Sequence, residues 1–389
     1  MATLKSIASG NWTSASTWGL CNATAELDSE AASTASTTSY VKSSSFTPGA
    51  ITISGICVKL AARAGTPTGT FSVELYNATG AAVVAGTTVT IDVADIPFCD
   101  ATDQQGGWLY MKFASNVTLS AATAYQVEIR SSNASSVTLY RDATAGNWSR
   151  QLVTTTTQAP VAGDKLIING DKTGQGTSNS YTVTMNETST TDYGTGSTTI
   201  PSINIGHDGT LAYGTSGSTN YNLRCSGVIA VYGGGTLNIG TSGSEIPRTS
   251  TAKVELDCTS DGDFGLDIRG GTFNSYGLSR TSGKNISQMF LDADAAVSAT
   301  SLTVSADSGW LSGDEIALAP TQRVSTQYET ATLSSNAGAS SLSISSGLTY
   351  AHDGNADYKG EIILLTRNVN IVATNASFRG YIRIRKTAT

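Results

Sequence analysis

Short runs of alternating apolar and polar residues fill the chain from Phe46 to about residue 150. In Phe71–Leu75 the two kinds of residue alternate one by one, which is the period of a strand with one buried face. The runs are Ile51–Ile53, Ile56–Leu60, Thr70–Tyr76, Thr88–Val93, Trp108–Phe113, Tyr125–Ile129 and Val137–Tyr140. Because turn residues rather than helical segments separate them, they predict an antiparallel β-sandwich or jelly roll over residues 46–150.

A second pattern starts at Gly163, where short apolar runs are bracketed by glycines. The runs are Gly163–Ile168, Tyr181–Met185, Ser202–Gly206, Gly209–Tyr213, Gly227–Val231 and Gly235–Gly240. A short strand, a glycine corner and another short strand suit a solenoid, since each coil turns sharply and stacks on its neighbour. We predict a right-handed parallel β-helix-like domain over residues 163–389, with an irregular sandwich as the alternative.

Two further segments lack either pattern. Residues 1–45 are rich in Ser, Thr and Ala and contain Trp12 and Trp18, whose indole rings are costly to leave in water. They predict an N-terminal arm that docks on a partner or on the next domain. Residues 151–162, with four consecutive threonines before Gln158-Ala159-Pro160, predict an extended linker.

Composition supports an all-β protein and excludes some functions. Of 389 residues only 14% are charged, 40 are glycine and 7 are proline. The charged residues that usually occupy the exposed faces of helices are therefore scarce, and we expect few helices. The net charge of −7 argues against nucleic acid as a partner. No secretory signal or membrane-spanning run is recognisable in the sequence. Either a signal has been cut away or the protein reaches the outside by another route, such as assembly into a virus particle, and we expect a location on the virion surface or outside the cell.

Cysteine spacing favours neither disulfides nor a metal centre. The five cysteines form no CxxC pair, and Cys57, Cys225 and Cys258 read as small buried hydrophobes. We therefore predict no cofactor. The one candidate cation site is calcium at an acidic segment containing Asp261, Asp263 and Asp267, although the spacing differs from that of an EF-hand and a solvated turn is the favoured interpretation.

The second half of the chain carries a set of motif residues that begins at Trp310 and ends in the strand Leu364-Leu365-Thr366-Arg367-Asn368. The set is Trp310, Gly313, Asp314, Ile316, Tyr350, His352, Leu364, Leu365, Thr366, Arg367 and Asn368. With the glycine-bracketed strands before it, this pattern covers about residues 160–375 and resembles the eight-glycine domain of fibrocystin-like receptors and cell-surface hyaluronan-depolymerising proteins. It implies an extracellular β-rich scaffold that continues in the relatives beyond the point where this sequence stops.

These motif residues read as structural. We expect Trp310 to lie in a core and Gly313-Asp314 to form a corner. His352 is expected to act as a cap that donates to Asp353 or to a backbone carbonyl. Arg367 is expected to pair with a carboxylate, such as that of Glu361 or Glu329, or with carbonyls at a strand end. His207 is expected in a tight turn. Four aromatic residues of the sandwich are candidates for stacking on sugar rings, with core packing as the favoured alternative: Tyr76, Trp108, Tyr110 and Tyr140.

These patterns together predict a bacteriophage virion structural protein, in a tail fibre, tailspike or adjacent appendage, with roles in assembly and host-surface attachment and no enzymatic activity. Its expected partners are further copies of itself, as in a trimer, other virion proteins and a host surface glycan. One alternative is an exported glycan-binding or glycan-cleaving protein, and the other is a capsid-decorating or adhesin module. The strand Tyr381–Arg385 would present an unpaired edge, which supports an oligomer.

Overall fold

The computed structural model shows an all-β chain, as the composition predicts. It describes residues 2–23, 34–36, 41–63, 65–101, 104–133, 137–140, 148–194, 200–215, 217–258, 265–277, 286–355, 358–375 and 377–385. The helical residues described are three short 3-10 turns, at Ala15–Thr17, Val93–Asp95 and Ser325–Gln327.

The strands follow one another in this chain order. The first thirteen are β1 (Thr3–Ser6), β2 (Gly10–Asn11), β3 (Trp18–Cys21), β4 (Thr34–Ser36), β5 (Val41–Lys42), β6 (Ile51–Arg63), β7 (Thr70–Asn77), β8 (Ala82–Val83), β9 (Val89–Asp92), β10 (Trp108–Leu119), β11 (Tyr125–Ser131), β12 (Val137–Tyr140) and β13 (Arg150–Thr157). The next thirteen are β14 (Lys165–Ile168), β15 (Asp171–Gly174), β16 (Thr177–Asn179), β17 (Tyr181–Met185), β18 (Asp192–Tyr193), β19 (Ile203–Ile205), β20 (Gly209–Tyr213), β21 (Asn220–Cys225), β22 (Ile229–Tyr232), β23 (Thr236–Ile239), β24 (Thr251–Leu256), β25 (Leu266–Arg269) and β26 (Thr272–Ser275). The last eight are β27 (Gln288–Phe290), β28 (Ser301–Thr303), β29 (Glu315–Leu318), β30 (Glu329–Thr332), β31 (Ser341–Ser343), β32 (Glu361–Leu364), β33 (Val369–Ala373) and β34 (Ile382–Ile384).

The glycine-bracketed strands form three parallel sheets, which we call the parallel stack. The first is the parallel part, β1-β14-β19-β22-β25-β34, of a 14-stranded sheet that continues from β1 through β3, β13, β6, β10, β15 and β16. The second runs β2-β17-β20-β23-β26 and the third β18-β21-β24-β33. From β14 to β25 the chain visits the three sheets in turn, so that each of these circuits adds one strand to each sheet. β1 and β2 precede these circuits and extend the first and second sheets.

Equivalent side chains of successive circuits lie directly over one another. In the first sheet Leu4, Leu166, Ile203, Ile229 and Leu266 are paired in register, and none of them is exposed to solvent. Glycine is required at the corners, because a Cβ at Gly209 would lie 2.2 Å from the carbonyl oxygen of Ile168 in the circuit below. The alternation seen in the sequence therefore marks the inward ladders of the stack.

The N-terminal residues are part of this stack and do not form the predicted separate arm. β1 pairs in parallel with β14 and antiparallel with β3. Trp12 and Trp18 are fully buried, their rings 5.5 Å apart in a T-shaped pair, and Trp12 makes a second such contact of 5.1 Å with Tyr193. The two tryptophans thus bury their apolar surface within the chain itself.

The alternating runs of residues 46–150 form antiparallel sheets between β3 and β14 in the chain. β6 pairs with β10, β12 and β13, while β7 pairs with β8, β9 and β11. Their inward residues make one core that includes Ile56, Phe71, Val127, Leu139 and Trp148. The predicted linker is wrong from residue 151 to residue 157, because Gln151–Thr157 belongs to β13, whose threonines suit a pleated strand.

The chain divides into two compact units. The first contains the stack and the antiparallel sheets just described, and the second comprises residues 247–249 and 277–368. The second unit has an antiparallel sheet, β27-β32-β29-β30, a separate antiparallel pair, β28 and β31, and a core around Leu291, Leu302, Trp310, Ile316 and Ile362. The prediction of one β-helix-like domain over 163–389 is therefore wrong for residues 277–368, which interrupt the stack between β26 and β33.

Candidate functional sites

A buried carboxylate shared by three arginines lies on the outward face of the first parallel sheet. Asp267, in the middle of β25, has no exposed surface. Its oxygens accept hydrogen bonds from Arg385 Nε at 3.0 Å and Nη2 at 2.8 Å, from Arg383 Nε at 3.1 Å and from Arg269 Nε at 2.9 Å. Arg385 is thus a two-pronged partner, the strongest geometry for a guanidinium and a carboxylate.

The neighbouring polar groups extend this cluster along the sheet. Arg269 Nη1 donates to the hydroxyl of Tyr232 at 3.3 Å, and that hydroxyl donates to Asn204 Oδ1 at 3.2 Å. The Arg269 guanidinium also lies 5.4 Å from the centre of the Tyr232 ring. β19, β22 and β25 therefore contribute one polar ladder, which we call the arginine cluster together with Asp267, Arg383 and Arg385.

Electrostatics in this cluster favour the ionised carboxylate. Burial alone would raise the pKa of Asp267, but hydrogen bonds from Arg385 and Arg383 and the charge of Arg269 lower it well below its usual range. A carboxylate surrounded by guanidinium groups is a poor ligand for a cation, so the surroundings of Asp267 do not suit the predicted calcium site. Asp261 and Asp263 lie outside the described residues.

A second buried charge, Lys5, lies beneath the rings of two tyrosines. Its ammonium group donates to the backbone carbonyl of Asn169 at 2.7 Å and lies 4.5 Å from the ring centre of Tyr110 and 5.2 Å from that of Tyr181. Burial lowers the pKa of Lys5 to about 8, against the opposing charges of Cys57 and Asp171. A perturbed lysine can mark a reactive site, but Lys5 is completely buried, so no substrate could reach it in this conformation.

Asp171 organises the polar groups next to Lys5. It accepts hydrogen bonds from Lys112 Nζ at 3.1 Å, from Asn179 Nδ2 at 2.6 Å and from the hydroxyl of Tyr181. Burial would raise the pKa of Asp171, and these hydrogen bonds lower it overall. Since Lys112 lies on β10 and Tyr181 on β17, the shared carboxylate of Asp171 ties the antiparallel strands to the stack within the first unit.

The aromatic residues proposed for sugar stacking are mostly in the interior. Trp108, Tyr110 and Tyr140 are each at most 3% exposed, so the prediction that they present rings to a glycan is wrong and the core alternative holds. Tyr76 is half-buried, and its ring is covered by the ammonium group of Lys42, 3.1 Å from the ring centre. A sugar ring would have to displace this cation from the face of Tyr76.

The residues of the eight-glycine resemblance form the framework of the second unit. Trp310 is fully buried and donates from Nε1 to the carbonyl of Ile286 at 2.7 Å. Gly313 has a φ of +84°, which favours glycine, and Asp314 closes the turn by accepting from the backbone N–H of Leu311 at 2.8 Å. These residues are core and corner, as predicted, although they lie in an antiparallel unit.

His352 is a buried link between strands. Its Nδ1 lies 3.0 Å from the carbonyl of Ala319 and its Nε2 lies 2.9 Å from Glu329 Oε1. The carboxylate of Glu329 also accepts from the backbone N–H groups of Thr349 and Tyr350. Burial would raise the pKa of Glu329, but these donors lower it. The predicted carbonyl contact of His352 is confirmed, and its carboxylate partner is Glu329 rather than Asp353.

The remaining predicted residues are Arg367 and Asn368, which donate to backbone carbonyls, and His207, which lies in a turn. Arg367 is exposed and donates from Nη1 to the carbonyl of Thr366 at 3.0 Å, while Asn368 is nearly buried and donates to the carbonyl of Pro247 at 3.1 Å. His207 lies in a tight turn with a φ of +35°, as expected, and burial lowers its pKa to about 4. The structure therefore does not gather the predicted site residues into one site.

Sequence reasoning missed both buried charge clusters. Their members are far apart in the chain, since Asp267 and Arg383 are separated by 116 positions and Lys112 and Asp171 by 59. The one local signal is the alternation Ile382-Arg383-Ile384-Arg385, which marks a strand with a basic face. All five cysteines are buried and unpaired with one another, and across the described ranges no group of three His, Cys, Asp or Glu could hold a metal ion.

Comparison with known proteins adds no relative. The sequence matches no family model, and no curated protein is significantly similar to it. The resemblance to the eight-glycine domain therefore stays a prediction. Among the described residues, no helix is long and apolar enough to cross a membrane.

Proposed function

We propose that this chain is a structural protein of a bacteriophage virion, located in a tail fibre, tailspike or adjacent appendage. In this proposal the parallel stack is a right-handed parallel β-helix, the hand that crossovers between parallel strands almost always take. The antiparallel sheets of the first unit are a jelly-roll-like insert. The whole chain serves as a rigid scaffold in assembly and host attachment.

The observation that carries the proposal is the uninterrupted inward ladder of the first sheet. Five aliphatic residues from five circuits are completely buried and in register, and the two tryptophans and Tyr193 add an aromatic cluster to the same core. Successive circuits bury their apolar side chains in one continuous core, as in solenoid proteins. A core of this kind suits a fixed scaffold more than a protein that must open and close around a substrate.

The buried charges support the same role. The arginine cluster and the groups that hydrogen-bond to Asp171 join several strands, and buried ion pairs can specify the register of the strands that carry them. Such clusters fix one arrangement of the sheets. They contribute to a defined shape, which an assembly component requires.

The test is to locate the chain in purified phage particles by gold-labelled antibody and negative-stain electron microscopy. We expect label on the tail or its appendages, with particles lacking this gene product as the control. Label on the head would support a capsid-decorating protein instead. Absence from particles, together with loss of chain length in a capsule polysaccharide or hyaluronan incubated with the purified protein, would support the glycan-cleaving alternative and overturn the proposal.

A further inference from the structure

His207 is a buried imidazole at a corner of the parallel stack, between β19 and β20. It is 2% exposed. Within the described part of the chain, neither of its ring nitrogens has a hydrogen-bond partner of normal geometry. Since buried polar groups of native proteins are almost always hydrogen-bonded, a ring in this state is suited to the neutral form and poorly suited to a charged one.

The backbone of this corner is held by the circuits on either side of it. The φ angle is +35° at His207 and +66° at Asp208, a region that residues with a side chain rarely adopt. The carbonyl of His207 accepts from the N–H of Gly170 at 2.9 Å, and the N–H of Asp208 donates to the carbonyl of Gly234 at 3.0 Å. The ring is therefore fixed in place by the neighbouring corners of the stack.

The segment that leads into β10 packs against the same corner from the antiparallel sheets. The backbone of Gly107, directly before β10, lies close to the His207 ring. A Cβ at Gly107 would lie 2.8 Å from the ring of Tyr232, and a Cβ at Gly234 would lie 2.9 Å from the ring of Pro97. The two parts of the first unit thus approach each other at backbone distance around His207.

The charges near the ring offer little compensation for a proton on it. Lys172 on β15 and Asp208 act on the ring with opposite signs, and they pair with each other at 2.7 Å. The described residues that pack against the corner from other elements, Pro97, Gly107 and Gly234, are uncharged. A protonated ring would be a buried cation beside an ion pair whose charges already balance.

We propose that His207 is an acid-sensitive joint between the parallel stack and the antiparallel sheets of the first unit. Protonation of its ring in mildly acidic solution separates the segment at Gly107 from the corner at Gly206–Gly209, while the ladders of the stack stay paired. Separation at this place exposes the ring to water without breaking a parallel ladder. The joint is a property of the fold and does not depend on where the chain is located.

The direction of the effect follows from the environment of the ring. Burial lowers the pKa of His207 from 6.5 to about 4. The contribution of the neutral ring to the closed joint is therefore fully present above about pH 6.5 and is lost progressively as the pH falls towards 4.

Hydrogen exchange read by mass spectrometry tests the joint in the full chain, with rates corrected for the intrinsic pH dependence of exchange. Between pH 7 and pH 5 we expect protection to fall at least about tenfold in the peptides that contain Gly107 and His207. A peptide from β21, in the third parallel sheet, should keep its protection. Unchanged protection at Gly107 and His207, or an equal loss in the β21 peptide, would overturn the proposal.

Three variants tie the effect to this ring. His207→Asn keeps a residue type that tolerates positive φ and removes the titrating group, so the difference between pH 7 and pH 5 should disappear. Lys172→Gln leaves the Asp208 carboxylate as an unpaired counter-charge, so the loss of protection should shift to lower pH, a result that remains decisive if His207→Asn does not fold. His352→Asn, at the other histidine of the chain, is the matched control and should behave as the parent does at the joint.

A loss of protection of the same size in the parent and in His207→Asn would assign the acid sensitivity to other groups and contradict the proposal. The same conclusion would follow if Lys172→Gln left the pH of the loss unchanged.

Discussion

At the scale of single residues, Asp267 shows how a buried charge depends on partners from distant parts of the chain. The sequence favours a solvated acidic turn around Asp257–Asp267, yet Asp267 lies in mid-strand with no exposed surface. No local pattern could indicate this, because two of its three arginine partners lie on or directly after β34, 116 and 118 positions away. The alternation of isoleucine and arginine in and directly after β34 could be recognised in the sequence. The carboxylate of Asp267, which these arginines contact, could not be predicted from it.

Replacement of Asp267 should therefore be costly. Asp267→Asn leaves three guanidinium groups without their shared counter-charge, and we expect a loss of about 3 to 5 kcal/mol in the free energy of unfolding by urea titration. The folded pKa of Asp267 is lowered, so its contribution is present above the pKa of an unfolded aspartate, about 3.9, and is lost as the pH falls through the folded value. The control is Asp92→Asn, at an exposed carboxylate. Equal effects of the two substitutions at pH 7 would contradict this account.

The His352–Glu329 pair gives a second pH-dependent prediction. The Glu329 carboxylate accepts from the backbone N–H groups of Thr349 and Tyr350, and its Oε1 lies 2.9 Å from His352 Nε2. Glu329→Gln should lower the unfolding free energy at pH 6 by about 1 to 3 kcal/mol. Because the pKa of Glu329 is lowered on folding, the difference between parent and variant should shrink as the pH falls below about 4. A difference that stays constant from pH 6 to pH 3 would contradict the ionised Glu329 carboxylate.

At the scale of elements, local alternation predicted strands well and their pairing poorly. Tyr181–Met185, Gly209–Tyr213 and Val137–Tyr140 are strands with the predicted bounds. By contrast, residues 2–21 and 151–157 looked like an arm and a linker. β1 finds its parallel partner about 160 residues away, and β13 is a threonine-rich strand whose burial depends on β3 and β6. The period of the local hydrophobic pattern and the composition do not show which strands pair when they lie this far apart in the chain.

The N-terminal tryptophans distinguish a docking arm from an integral part of the stack. Trp12→Ala should lower the unfolding free energy by about 3 to 5 kcal/mol, because it removes a fully buried ring that contacts both Trp18 and Tyr193. Ser16→Ala, at an exposed position of the same segment, should have little effect. An arm that only meets a partner would give a Trp12→Ala variant with unchanged chemical denaturation, which is the outcome that would restore the arm interpretation.

At the scale of the whole molecule, the chain carries separate cores in its two units. Leu211 is buried in the core of the parallel stack and Leu302 in the core of the second unit, each without exposed surface. A truncation to alanine at either position leaves a cavity and costs about 2 to 5 kcal/mol. Because the two cores share no residue among those described, each loss should remain within its own unit.

Differential scanning calorimetry should therefore resolve two transitions, since multi-unit chains depart from two-state unfolding. We expect Leu211→Ala to lower the temperature of one transition and Leu302→Ala that of the other, with the double variant showing both shifts. Ile363→Ala, at a residue of the second unit that is 36% exposed, is the control and should move neither by more than a small amount. A single transition that both leucine substitutions lower to the same extent would mean that the units unfold as one cooperative body, and the interruption of the stack would then be one of chain order only.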